Sequence, residues 1–167
     1  MIKVEEIVKK YKGYEVDEEK LEKLLTPPKQ KTVYDLKVND KYFWIEHDGT
    51  VHSNSWFDDE LDNCRRNFCN CFLTEQEAQF EIERRRVEST LLKYGRRNFK
   101  KGKNNYFMQY LDGSNVIIGI RGSRGVAGNI YFDTLDLYDK AFKEVGFNNI
   151  KKYIFGVDLE REKQYER

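Results

Sequence analysis

Apolar positions in the first thirty residues recur three and four apart: Val4, Ile7, Val8 and Tyr11, then Leu21, Leu24 and Leu25. This spacing predicts two short helices. Gly13 suits the break between them, Asp17 suits the cap of the second, and Pro27-Pro28 end it by removing backbone donors. Residues 1–30 read as a helical appendage, too short to hold a core of their own. Residues 31–157 then carry the pattern of an α+β core, and 158–167 form a polar C-terminal tail.

Within the core the pattern switches to aromatic strands, and it does so twice. Tyr42-Phe43-Trp44-Ile45-Glu46-His47-Asp48-Gly49 aligns without gaps on Tyr106-Phe107-Met108-Gln109-Tyr110-Leu111-Asp112-Gly113. A strand running into Asp-Gly is a strong hairpin signal, because the turn needs positive φ. Returning strands are expected over 50–56 and 115–120. Each half next reaches an Asn-led apolar stretch, Asn70-Cys-Phe-Leu and Asn129-Ile-Tyr-Phe, and then a helix cap. Thr74 with Glu77 forms a capping box, and Asp133 or Thr134 caps the second helix. The expected architecture is two β-hairpin–strand–helix units forming one antiparallel sheet packed with helices, preceded by the N-terminal helical pair.

The two core helices differ. Over 134–146, Leu135, Tyr138, Ala141, Phe142 and Val145 make a single stripe closed by Gly146. Over 75–94 there are two stripes: Phe80, Val87, Leu91 and Tyr94 on one side, and Ala78, Ile82 and Leu92 nearly opposite. A helix apolar on two sides is sandwiched. The sheet is expected on the first stripe, with the N-terminal helices or a protein partner on the second.

Composition narrows the class. Hydrophobic residues are only 39%, yet aromatics reach 14%, so few but large side chains build the core. No apolar run reaches the length of a membrane span. Met1-Ile-Lys-Val-Glu-Glu lacks the basic and apolar regions of a signal peptide, so the chain is expected to stay where it is made. Cys64, Cys69 and Cys71 cannot all pair with one another, and their spacing lacks the knuckles of a zinc site. They read as free thiols, buried or half-buried.

The net charge of +1 conceals segregation. Residues 48–62 hold Asp48, Asp58, Asp59, Glu60 and Asp62 with no Lys or Arg, whereas residues 84–124 hold eleven cations against Glu88 and Asp112. Basic segments that carry an aromatic and glycines suit a phosphate backbone, because small residues let N–H groups approach and guanidinium forks match the oxygens. Arg84, Arg86, Lys93, Arg96, Arg97, Lys100, Lys101 and Lys103 are candidates there, with Phe99 among them. Arg121 and Arg124 join them from a stretch with glycines three apart, Gly119 to Gly128. A solvated loop and a glycine-rich hairpin tip explain the same residues without a ligand. Asp58, Asp59, Glu60 and Asp62, set between Trp56-Phe57 and Phe68, offer an acidic surface for a basic groove. They also resemble a loop of solvated carboxylates, or a Mg²⁺ site of nuclease type. His47 and His52 would be diagonal neighbours if Asp48-Gly49 closed a two-residue loop, but a third ligand is missing. Nucleotide-binding, hydrolase and zinc-protease motifs do not occur. The residues therefore point to binding without catalysis, cofactor or metal.

Lys37-Val-Asn-Asp-Lys-Tyr-Phe-Trp-Ile, Asp48-Gly49, Trp56 and Asn70-Cys-Phe-Leu-Thr-Glu-Gln-Glu-Ala-Gln-Phe resemble a group of small phage and prophage proteins. So does the closing Ile150-Lys-Lys-Tyr-Ile-Phe-Gly156, and the likeness covers roughly residues 31–157. It departs at Asn39, where the group commonly has glycine, and at Cys69, where glycine often precedes the Asn. The resemblance implies no catalytic residues. It implies a phage origin and expression in the cytoplasm of a bacterial host, but no activity; small phage accessory proteins without catalytic motifs often act by occupying a host machine. The expected function is a non-enzymatic, anti-CRISPR-like antagonist of bacterial defence that contacts a host defence protein, a ribonucleoprotein or its nucleic acid. A phage accessory protein that binds DNA or RNA directly is the alternative, and a metal-dependent nuclease a distant one. No membrane partner is expected.

Overall fold

A computed structural model of the chain describes residues 3–14, 30–111 and 116–157. The expected second N-terminal helix with Pro27-Pro28, the Asp112-Gly113 turn and the C-terminal tail lie outside the described residues. Among the described residues no helix is long and apolar enough to cross a membrane. The fold is mixed α and β and divides into two units, residues 1–32 and 33–167. In the first, α1 spans Val4–Lys10, and Gly13 follows it with φ +92°. Tyr11 and Tyr14 meet edge to face at 5.8 Å.

The second unit opens with a single 3₁₀ turn, Val33–Asp35, and then a hairpin of β1 (Lys41–Ile45) and β2 (Val51–Ser55). Its turn is one residue longer than the two-residue loop considered from sequence. Gly49 N–H donates to Glu46 C=O and Glu46 N–H to Thr50 C=O, so His47, Asp48 and Gly49 form a three-residue loop. Gly49 takes the positive φ of +87° that this turn requires. Both faces of β1 are covered, which explains its nearly continuous aromatic run. Phe43 and Ile45 pack with Ala78, Ile82 and Phe72, while Tyr42 and Trp44 pack with Trp56, Leu36 and Cys71.

Where a loop of carboxylates was expected, α2 spans Glu60–Asn67, capped by the Asp59 side chain on Asp62 N–H. Its end closes in a Schellman motif: Asn70 N–H reaches Arg65 C=O and Cys69 N–H reaches Arg66 C=O. Cys69 occupies the left-handed position of that motif at φ +55°, and Asn39 holds φ +74° in the turn before β1. A Cβ in this conformation is strained, more so for Cys than for Asn. Cys69→Gly is therefore expected to raise stability by about 1 kcal/mol in urea denaturation. Asn70, next in line, uses its side chain as a peptide group, accepting from Ile45 N–H and donating to Ile45 C=O. Phe72 then pairs with Phe43 in a single antiparallel bridge.

The long helix α3 (Glu75–Tyr94) begins with the expected capping box of Thr74 and Glu77. Its two stripes serve two different hairpins. Ala78 and Ile82 rest on the first hairpin. Val87 and Leu91 enter the largest core cluster, with Met108 and Ile117 of the second hairpin. Phe80, placed on the stronger stripe by its spacing, is instead 38% exposed and tilts against Tyr153. The second hairpin joins β3 (Tyr106–Leu111) to β4 (Val116–Arg121). The strands thus form two separate two-stranded sheets, in place of one continuous sheet.

Helix α4 (Leu135–Val145) is capped by Thr134, buries Tyr138, Ala141 and Val145, and stops at Gly146 with φ +83°. A further short helix, α5 (Phe147–Tyr153), completes the cluster through Ile150. Three of the four glycines spaced three apart seat aromatic rings, Gly128 being the exception. A Cβ at Gly119 would meet the Tyr138 ring at 3.1 Å, one at Gly122 the Phe107 ring at 2.8 Å, and one at Gly125 Phe99 at 3.4 Å. Gly119 lies inside β4, so this stretch is a strand end and a loop, not a hairpin tip.

Candidate anion-binding cleft

The candidate cations divide sharply by what they touch. On α3, Arg84 is held by Glu81 at 2.6 Å and Glu88 at 3.2 Å, and Arg86 by Glu83 at 2.6 Å. Arg97 reaches Glu88 at 2.7 Å, and Lys93 reaches Glu144 of α4 at 2.9 Å. The hydrogen bond from Tyr94 and the Lys93 ammonium hold the Glu144 carboxyl below its ordinary range. The excess positive charge over 84–124 is thus offset in space by carboxylates from before and after that segment.

Arg96 is spent most completely. Its guanidinium donates to Asp133, to the carbonyls of Asn98 and Asn104, and to Asn105 Oδ1, and lies over the Tyr131 ring. Its backbone pairs with Tyr131 in both directions. Arg96 in turn holds the Asp133 carboxyl low, with Lys100 a weaker partner at 3.7 Å. Arg96 is a structural clip, not a free contact residue.

Beside it, Asn105 is only 1% exposed and satisfies four bonds. Oδ1 accepts from Lys100 N–H and Arg96 Nη2, and Nδ2 donates to the carbonyls of Lys100 and Lys103. That knot fixes the loop carrying Lys101, Gly102 and Lys103. Gly122 N–H continues the β3–β4 ladder onto Asn105 C=O, which brings the Arg121–Gly128 loop alongside. Tyr131 ties the far end of that loop, its hydroxyl bonding both Val126 N–H and C=O. Phe99 meets Tyr131 edge-on at 5.7 Å, against the backbone of Gly125.

Between the two loops lies an open cleft of about 350 Å³, lined by Phe99, Gly102, Lys103, Asn105, Arg121, Gly122 and Ser123. Lys101 and Arg124 stand exposed on the same loops. Among the described residues, Lys101, Lys103, Arg121 and Arg124 enter no ion pair and no side-chain hydrogen bond. The fold therefore unites two basic segments nearly twenty residues apart in sequence, and leaves there four cations without internal partners. Ser123 and Asn105 were not legible as site residues. Ser123 sits in the glycine-rich stretch that draws attention to its arginines, and Asn105 is one polar residue among several.

The acidic candidates behave differently from a loop of solvated carboxylates. Asp62 is buried, accepting from Tyr42 OH and from Phe57 N–H, both at 2.6 Å. Asp59 is the helix cap, and Asp58, at φ +59°, accepts from the Asn63 amide. Glu60 alone of the four has its carboxylate uncommitted and exposed, and Phe57, Leu61 and Phe68 are exposed along the same stretch. Arg65 donates to Tyr42 OH and stacks over Trp44 at 3.7 Å. Burial, aided by the bond to Asp62, pushes the Tyr42 phenol up to about 12.

The histidines also part. His47 is exposed in the turn and bonds Glu46, whereas His52 stacks on Trp44 at 4.9 Å. Cys64 and Cys69 are exposed, against expectation; Cys71 is buried, and burial pushes its thiol up to about 11. Among the described residues no three His, Cys, Asp or Glu side chains are grouped as a metal ion would need. Comparisons with protein-family models, with curated proteins and with solved structures returned no match to this chain.

Proposed function

We propose that this chain is a non-enzymatic binding protein whose partner is a polyanion: the phosphate backbone of DNA or RNA, free or held in a host ribonucleoprotein. The observation that carries this reading is the contrast among its cations. Six of the ten candidates are paired with carboxylates of the chain itself, while Lys101, Lys103, Arg121 and Arg124 have no partner among the described residues and stand on a braced loop and on the end of β4 with the loop after it. Unpaired cations on a rigid frame displace condensed counterions from nucleic acid at little ordering cost.

The setting that fits is a phage protein acting in the cytoplasm of a bacterial host against a defence complex, in the manner of an anti-CRISPR protein. Its support is the sequence resemblance, together with the positive φ of Asn39 and Cys69, the conformation that glycine favours at the two points of departure. Both halves also run through hairpin, bridge and capped helix in the same order, which supports reading them as two copies of one unit. The nuclease reading draws no support, since Asp62 and Asp59 are committed to holding α2.

The test is a quadruple variant, Lys101→Ala, Lys103→Ala, Arg121→Ala and Arg124→Ala. It is expected to bind a labelled oligonucleotide at least about tenfold more weakly at low salt. Its urea midpoint should stay unchanged, because none of the four supports a contact within the fold. Arg84→Ala with Arg86→Ala, on α3, should change binding little. Equal affinity of the quadruple variant and the parent chain would remove this surface from consideration.

A further inference from the structure

We infer that the cleft takes a single-stranded segment, with one unpaired base against Phe99 and the adjoining phosphates on Lys103 and Arg121. The inference rests on the polyanion reading above and narrows it to a substrate class.

Shape supplies the first argument. Duplex DNA is read by an element that protrudes, a helix or ribbon entering a groove. Here the unpaired cations do not stand on a helix; Lys103 lies in a loop and Arg121 at the end of β4, and both line a recess in place of a protruding edge. A cleft of about 350 Å³ has room for one nucleotide unit and cannot admit a double helix. It falls near the lower end of the roughly 300–1,000 Å³ typical of small-ligand pockets.

Chemistry supplies the second. The ring lining this recess, Phe99, is partly exposed, and Tyr131 and Gly125 behind it keep it in place. A fixed aromatic beside cations is the arrangement that holds an unstacked base while its phosphates are neutralised, and it tolerates any sequence because every base has a π-face. Gly102 and Gly122 put bare backbone on the recess wall, and the exposed Ser123 hydroxyl is free to bond a base edge or a sugar. Asn105, fully bonded within the loop, shapes the recess and has nothing left to offer a ligand.

Fluorescence anisotropy at low salt tests this with a labelled oligonucleotide of about 12 nucleotides, inside the roughly 4–16 covered by single-strand-binding folds. The strand is presented alone, as DNA and as RNA, and as the corresponding duplex. Single strands are expected to bind about tenfold or more tightly than the duplex. Phe99→Leu keeps an apolar side chain against Tyr131 but removes the π-face. It should weaken single-strand binding about tenfold and leave duplex binding and its salt dependence as they were. Phe99→Trp should restore single-strand affinity. Duplex binding as tight as single-strand binding, or a Phe99→Leu chain that binds single strands like the parent, would overturn the inference while the polyanion reading stood. Absence of binding to every form would instead remove the polyanion reading itself.

Discussion

Asp62→Ala is expected to lower the stability of the folded chain by about 2–4 kcal/mol, the cost of leaving two hydrogen-bond donors without their acceptor inside the fold. The carboxylate accepts from Tyr42 OH and Phe57 N–H, and Arg65 donates to the same hydroxyl, so three elements meet at one buried point. Removing it leaves the part-buried Phe57 N–H and the hydroxyl proton of buried Tyr42 without their acceptor, although Arg65 still donates to the Tyr42 oxygen. Asp62→Asn should recover only part of the loss, because an amide has one acceptor oxygen where the carboxylate uses two. Urea denaturation followed by circular dichroism measures both. A loss below about 1 kcal/mol for the alanine variant would show that water replaces the carboxylate, and that α2 is held by its cap and its aromatic stacking alone.

The second large effect belongs to Asn105→Ala, expected to cost about 3 kcal/mol, since four hydrogen bonds, to part-buried backbone groups and to the Arg96 guanidinium, are lost together. Its consequence for binding separates shape from charge. Every cation of the cleft remains in this variant, yet the loop carrying Lys101 and Lys103 loses its anchor at both Lys100 and Lys103. Affinity for an oligonucleotide should therefore fall severalfold at temperatures where the rest of the chain stays folded. Unchanged affinity would mean that charge alone, without a fixed cleft, carries recognition.

The parts of this fold that were legible in the sequence are those where local chemistry and burial agree. The first Asp-Gly turn, the Thr74–Glu77 capping box, the Thr134 cap and the Gly146 stop all act through bonds within a few residues. The stripe of α4 was readable because its apolar side points into the core, although Leu135 at its start is exposed. Helix α2 was missed because it inverts the usual pattern. Its buried residue is Asp62, Arg65 and Arg66 lie over aromatic rings, and Leu61 and Phe68 face solvent. A search for an apolar stripe cannot find such a helix, since its buried side is held by hydrogen bonds and cation–π contacts.

The site was half legible for a related reason. Clustered Lys and Arg mark a basic segment, but which of them stay available depends on carboxylates that approach from afar. Glu144 lies 51 residues beyond Lys93, and Asp133 lies 37 beyond Arg96. Linear charge counting places Arg96 with Lys101; contacts make one a clip and leave the other open. Glycine spacing misleads in the same way, for its regularity seats the rings of Tyr138, Phe107 and Phe99 and only afterwards shapes a loop.

The central claim is that four cations around one braced cleft meet phosphates, and the salt dependence of binding tests it most directly. Titration of a single-stranded oligonucleotide at several salt concentrations should give log K falling linearly with log salt. The slope should be about −3, as about four neutralised phosphates on a single strand require. A slope near zero, or no association even at the lowest salt, would contradict it.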